Sequence, residues 1–202
     1  MARNTQRLIA EALRRLMREK ELDKITVQEI ADAANVNKKT FYYHFHGIGD
    51  LICWMHTIEP YETIDVEGVR PDNWIDMVQR FARRVQMDSE HITKVYYSSY
   101  GGALRQAVIR MFDRATDKYI RSIIVLYDEK FGQPLELTPL QLEYIVGYYA
   151  MALYGIVEKW FLRGMQDPVE DFMSLVQMMN TLNNFSLFNA LEALANAAPT
   201  EA

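Results

Sequence analysis

The sequence predicts an all-α protein, with a three-helix, helix-turn-helix head followed by a helical-bundle body. Three observations predict it. Apolar residues recur at i, i+3, i+4 and i+7 in segment after segment, which is the period of one helix face. No segment sustains apolar/polar alternation between turn residues, so no strand is expected. At 202 residues, half of them hydrophobic, the chain is long enough to bury a substantial core. No internal repeat is visible.

The first helix is expected from a cap at Asn4 or Thr5 to about Lys20. Leu8, Ile9, Ala12, Leu13, Leu16 and Met17 form its apolar stripe, and Arg7, Arg14, Arg15 and Arg18 its opposite face. The segment ELDKI leads to Thr26. In TVQEIADAANVNKKTFYYHF, residues 26–45, Val27, Ile30, Ala31 and Ala34 share one helix face. Thr26 and Glu29 have the spacing of a capping box, in which each side chain bonds the other residue's free backbone N–H. Asn35 tolerates the left-handed conformation that stops a helix. Asn37 then caps a second helix with Phe41 and Phe45 inward and Lys38, Lys39, Thr40, Tyr42, Tyr43 and His44 on the other faces. Two short helices joined by a turn of about four residues make a helix-turn-helix.

Beyond Phe45 a Gly-containing turn precedes a helix from about Asp50 to Ile58, stopped by Pro60. Residues 60–73 read as a loop. Asp72 or Asn73 is expected to cap the next helix, whose inner face is Trp74, Val78, Phe81, Ala82 and Val85. A short helix from about Glu90 to Ser98 ends near Gly101 and Gly102. A long one from Ala103 to about Phe131 carries Leu104, Val108, Met111, Phe112, Ala115, Tyr119, Ile123 and Leu126 on one stripe, and Gly132 and Pro134 break it. Thr138, with Pro139 at the first helical position, starts a helix to about Leu162, closed by Gly164. Asp167 and Pro168 begin a last helix with Phe172, Leu175, Val176 and Met179, and residues 183–198 hold one more helical piece. The expected domains are residues 1–47, the head, and 48–202, the body.

Charge divides the chain in the same place. Residues 1–46 hold nine Lys/Arg against six Asp/Glu, a net of +3, and the remainder holds 13 against 21, a net of −8. A basic head on an acidic body suits local contact with nucleic acid and argues against non-specific coating of it. No apolar signal segment opens the chain, and the longest uncharged run of the apolar C-terminal part, Tyr144 to Val157, is too short to span a bilayer. Cys53 is the single cysteine, so an intrachain disulfide is excluded and a reducing cytoplasm is the expected setting.

The helix pair 26–45 reads as a DNA-reading unit or as an ordinary pair with a solvated basic face. Lys38 and Lys39 favour the first, because cations in the first turn oppose the helix macrodipole and so are not placed for helix stability. They suit phosphates and guanine edges, while Tyr42, Tyr43 and His44 offer hydroxyl, imidazole and ring surface to phosphate, sugar and thymine methyl groups.

The segment TVQEIADAANVNKKTFYYHFHGIGDLI resembles the N-terminal domain of the TetR/AcrR family of transcriptional regulators, with TFYYHF followed by an Asp-Leu pair as its most telling part. The resemblance implies a homodimer with a DNA-binding head and an effector-binding body. It implies that Thr26 touches backbone phosphate and that Lys38, Lys39, Thr40, Tyr42, Tyr43 and His44 face DNA. The family pattern has Gly where Asn35 stands and a phosphate-contacting Lys near Gly49. HGIGD has no such Lys, which either weakens one backbone contact or hands it to His46. The C-terminal YYAMALYGIVEKWFLRGMQDPVEDFM is similar to a subset of the family that includes a dihydroxyacetone-responsive activator type, so the sign of regulation is open on this ground.

The helix 138–162 is apolar on more than one face, which makes it either a central core helix or a dimer surface. The dimer surface is expected to use Tyr148, Ala152, Gly155 and Ile156 with Phe172 and Val176. An effector pocket in the body is expected to draw on Trp54, His56, Trp74, Tyr96, Tyr97 and Tyr100, since such sites pair aromatic walls with few polar anchors. His44 and His46 lack further ligands at metal spacing, and His56 and His91 stand alone in the sequence, so no metal or cofactor is expected. Cys53 reads as a buried, inert thiol. With no phosphate loop, paired carboxylates or nucleophile motif, an enzyme is not expected. The sequence thus predicts a dimeric transcriptional regulator, in the main a repressor, that binds an inverted-repeat operator in double-stranded DNA under control of a small-molecule effector. The alternative is a helical ligand- or partner-binding co-regulator that does not bind DNA on its own.

Overall fold

The computed structural model describes residues 2–57, 68–132, 137–181 and 189. Among them the regular elements are helical. They are α1 (Ala2–Glu19), a 3-10 turn (Leu22–Lys24), α2 (Val27–Ala33), α3 (Lys38–His44), α4 (Ile48–Thr57), α5 (Trp74–Met87), α6 (Ser89–Tyr96), α7 (Gly101–Phe131) and α8 (Pro139–Leu162). Residues 169–181, here α9, are helical as well. The expected stop of α4 at Ile58 and Pro60, the loop at 60–67, the break at Pro134 and the tail at 183–198 (Asn189 apart) lie outside the described residues. The all-α expectation holds. The chain forms two compact units, Met1–Asp65 with Arg84–Met111, and Val66–Arg83 with Phe112–Ala202.

In the first unit α1, α2, α3, α4, α6 and the start of α7 enclose one core. Ile9, Leu13, Met17, Ile30, Phe41, Phe45, Leu51, Trp54, Met55, Val95 and Leu104 belong to it. Three polar ties hold its margins. Arg15 donates to Ala33 O at 2.7 Å, Lys94 to Met17 O at 3.1 Å, and Ser99 Oγ to Asp23 Oδ1 at 2.6 Å. At Gly101, which opens α7, an added Cβ would stand 2.2 Å from Tyr96 O, so only glycine lets the chain turn that tightly.

Two expectations for α1 need correction. The helix begins at Ala2, ahead of Asn4 and Thr5. Ile9, Ala12, Leu13 and Met17 of the expected stripe are buried, but the edge of the buried face differs. Leu8 is 50% exposed, while Ala10 and Arg14 are buried. Arg14 keeps an ion pair with Glu11 at 2.8 Å, so its charge remains compensated while its stem is covered.

In the second unit Ile120, Ile123, Tyr127 and Val146 centre a cluster of α7 and α8. Trp160 stacks on Phe172 at 4.4 Å and donates its indole N–H to Asp167 O. α8 starts as expected, with a capping box between Thr138 and Gln141 and Pro139 behind it. It ends in a Schellman turn at Gly164, φ 76°, where Gly164 N bonds Phe161 O and Met165 N bonds Trp160 O. Asn73, expected as a cap, instead closes the turn before α5 by accepting from Arg70 N and donating to Gly68 O. On α7 the inward residues of this unit are Phe112, Thr116, Ile120, Ile123 and Tyr127, while Leu126 is exposed. α7 passes through both units, so no single stripe serves its full length.

Candidate nucleic-acid interface

α2 and α3 are set by caps that the sequence encodes locally. Thr26 Oγ1 accepts from Glu29 N at 3.3 Å, and Glu29 Oε2 accepts from Thr26 N at 2.8 Å, a complete capping box. Lys20 joins Glu29 in an ion pair, and with these bonds it holds the Glu29 carboxyl well below its usual range, at about 2. α2 ends in a Schellman turn in which Asn35 N bonds Asp32 O and Val36 N bonds Ala31 O. Asn35 supplies the left-handed residue, φ 54°. Asn37 Oδ1 then accepts from Thr40 N at 2.7 Å to start α3.

Phe41 and Phe45 fix the roll of α3. Both are buried, their rings are 5.9 Å apart, and Phe45 meets Trp54 of α4 edge-on at 5.7 Å. With that face anchored, Lys38, Lys39, Tyr42 and Tyr43 point to solvent, Tyr43 being 81% exposed. Thr40 and His44 are half-buried at the margins, His44 against the Tyr43 ring. Thr26 is exposed, but its hydroxyl donates to Glu29 Oε2, so a phosphate there would compete with Glu29 for that proton. Beside this face Gln28, Asp32, Asn35, Val36, Asn37, Lys38 and Thr40 line a shallow polar hollow. Sequence reasoning passed over Gln28, whose amide is bonded to Asp32, because a lone polar residue on a short helix carries no signal of its own. His46 is exposed, and Asp50 accepts from its backbone N–H at 2.9 Å and lies 3.2 Å from Nδ1.

The aromatic set expected to form an effector pocket is divided between the two units. Trp54 lies in the core of the first unit, and His56 is buried near Asp88. Tyr96 and Tyr100 are half-buried in that unit, and Tyr97 is exposed. Trp74 alone of the six lines the cavity of the second unit, which has a volume of about 60 Å³. Phe112, Thr116, Tyr149, Leu153 and Val176 are among its other walls.

The expected dimer set divides as well. Tyr148 is 66% exposed and Gly155 is exposed, whereas Phe172 and Val176 are buried within their own unit. Phe172 is taken by Trp160 and Val176 by the cavity, along with Ala152 and Ile156. The apolar side chains that α8 leaves outside are Leu140, Tyr144, Tyr148, Met151 and Leu162, and those of α9 are Leu175, Met178 and Met179. Cys53 is half-buried with its thiol toward Ala103 O, and burial pushes that thiol up. No helix is long and apolar enough to cross a membrane, and no group of side chains could hold a metal ion, among the described residues.

Residues 9–52 match the family model of bacterial regulatory proteins, tetR family, and residues 72–182 match that of a transcriptional regulator C-terminal region. The chain belongs to the TetR family. It is therefore a DNA-binding transcriptional regulator rather than an enzyme. Among curated relatives it is 21% identical over 160 residues to the HTH-type dhaKLM operon transcriptional activator DhaS of Lactococcus lactis subsp. lactis (strain IL1403), covering 79% of this chain and 81% of the relative. The solved structure of a dihydroxyacetone kinase operon activator DhaS shares its fold, with a TM-score of 0.57 at 20% identity over 95% of this chain and 96% of that one. The tetR-family match runs from within α1 into α4 and includes the α2–α3 pair, so the outward face of α3 is the candidate surface for DNA.

Proposed function

We propose that this TetR-family chain acts as a cytoplasmic homodimer that binds an inverted-repeat operator in double-stranded DNA, with a small molecule in the second-unit cavity setting its affinity. The observation that carries the DNA reading is the outward face of α3. Two lysines and two tyrosines stand exposed on a helix whose opposite face is locked by Phe41 and Phe45. Lysines supply the phosphate attraction, and aromatic hydroxyls add positioning bonds. The dimer reading rests on the exposed stripe Leu140, Tyr144, Tyr148 and Met151, whose spacing keeps it on one side of α8. The expected sign is repression, from an operator that overlaps its promoter. The lactococcal relative is named an activator, so the fold by itself does not set the sign.

Selection from random double-stranded DNA tests this. The expected product is an inverted repeat whose half-sites lie about one helical turn or more apart. Failure to enrich any sequence would favour the second reading, a co-regulator that needs a partner to reach DNA. Asp50 favours that reading, because it sets a carboxylate beside His46, the residue left to make the α4 phosphate contact.

A further inference from the structure

We propose that the cavity of the second unit takes a small, neutral, mainly apolar molecule bearing one hydrogen-bond acceptor, which Thr116 Oγ1 engages. The proposal rests on the reading of this cavity as the effector site and narrows what can occupy it.

Three features of the cavity select the ligand. No lining residue carries a charge at neutral pH, from Trp74, Met77 and Val78 on α5 to Met179 and Asn180 on α9. A carboxylate, phosphate or ammonium group would lose its hydration there and gain no counter-ion. The volume of about 60 Å³ holds roughly four to six water-sized groups, so the ligand is a small skeleton. The third feature is Thr116. It is 3% exposed, it lines the cavity, and its hydroxyl has no hydrogen-bond partner. A helical threonine usually gives its proton to the carbonyl one turn back, and this one does not. A buried hydroxyl without a partner is a standing cost that a ligand acceptor would relieve. Tyr119, Tyr149 and Asn180 also line the cavity, but the surface it presents is almost wholly apolar, short of the two to four polar partners a water needs. A polyol would bring more hydroxyls than the wall can satisfy, and each unpaired one costs affinity.

The experiment measures binding of four probes to the full-length protein: cyclopentanone, cyclopentane, glycerol and cyclopentanecarboxylate. Binding is followed by ligand-observed NMR and by the shift in melting temperature. Cyclopentanone should bind, and should bind more tightly than cyclopentane. Thr116→Val should lower cyclopentanone affinity roughly three- to tenfold and leave cyclopentane unchanged, while Thr116→Ser should retain the preference. The Val variant should also melt higher when unliganded, since it removes the unpaired hydroxyl, and this reading shows that it is folded. Equal cyclopentanone affinity in wild type and T116V would overturn the proposal, as would tighter binding of glycerol or of the carboxylate. Operator binding measured in parallel separates this inference from the effector reading. Thr116-dependent cyclopentanone binding that leaves operator affinity unchanged supports the ligand class and removes effector control. An anionic ligand that controls operator binding equally in wild type and T116V overturns the ligand class and leaves effector control in place.

Discussion

His56 Nδ1 stands 3.9 Å from Asp88 Oδ2, and its second ring nitrogen, Nε2, is buried with no hydrogen-bond partner. His91 Nδ1 lies 3.2 Å from the other Asp88 oxygen and Arg84 3.9 Å from the first, so two imidazoles and a guanidinium share one carboxylate. Burial pushes the His56 imidazole down to about 4. Asp88 works against that shift, while Arg14, His91 and Arg84 add to it. A histidine held neutral in the fold but free to protonate near 6.5 once unfolded favours the unfolded state as acid is added. The protein should therefore lose stability as pH falls from about 6.5 toward about 4. Urea midpoints across that range check it, and His56→Gln should flatten the slope. A slope unchanged in the variant would move the effect to another group.

Lys38→Ala should weaken operator binding and reduce the salt slope of log K by about 1, as expected for loss of one phosphate contact. Tyr43→Ala should weaken binding with a smaller change in that slope. Both side chains are exposed, so denaturation midpoints should stay within about 0.5 kcal/mol of wild type. Titrations at several salt concentrations separate the two effects.

Asn35 occupies the left-handed position of the α2–α3 turn. Asn35→Ala should be modestly destabilising, since asparagine visits the left-handed region more readily than alanine. Asn35→Gly should cost little or stabilise, because glycine is the usual residue at that place. The difference between the two midpoints is the informative quantity.

Gly101→Ala forces a Cβ against Tyr96 O, a backbone atom that cannot swing aside. The expected loss is on the order of 2 kcal/mol or more, read as a lower melting temperature. Gly102→Ala next to it meets nothing within 4 Å and should be nearly neutral or better.

Tyr148→Glu should shift the protein toward monomer in sedimentation runs over a range of concentrations, with helicity intact. Phe172→Ala should instead destabilise the protomer by about 3–5 kcal/mol, because it empties the space stacked on Trp160. A dimer indifferent to Tyr148→Glu would take the α8 stripe out of the interface.

By itself the sequence determined most of the helices, the caps of α2, α3 and α8, and the outward face of α3. Thr26 with Glu29, Asn35, Asn37 and Thr138 with Pro139 all act within four residues of themselves. The bonds that set α2, α3 and the start of α8 are therefore written where they are used. Phe41 and Phe45 likewise fix the roll of α3, and the exposed lysines and tyrosines follow from helical spacing. The tertiary structure alone decided what the bodies of the long helices face. On α7, Leu104, Met111, Phe112 and Ile123 stayed inward, but Thr116, Ile120 and Tyr127 joined them and Leu126 turned out. Arg14 went inside, Phe172 and Val176 turned inward, and of the six expected pocket residues Trp74 lines the second-unit cavity. His56 looks isolated along the chain because the carboxylate it meets, Asp88, sits in the turn between α5 and α6, far from it in sequence. Backbone hydrogen bonding is local and leaves its period in the sequence. The partner of a helix face is chosen by packing between residues tens of positions apart, and no local spacing encodes that choice.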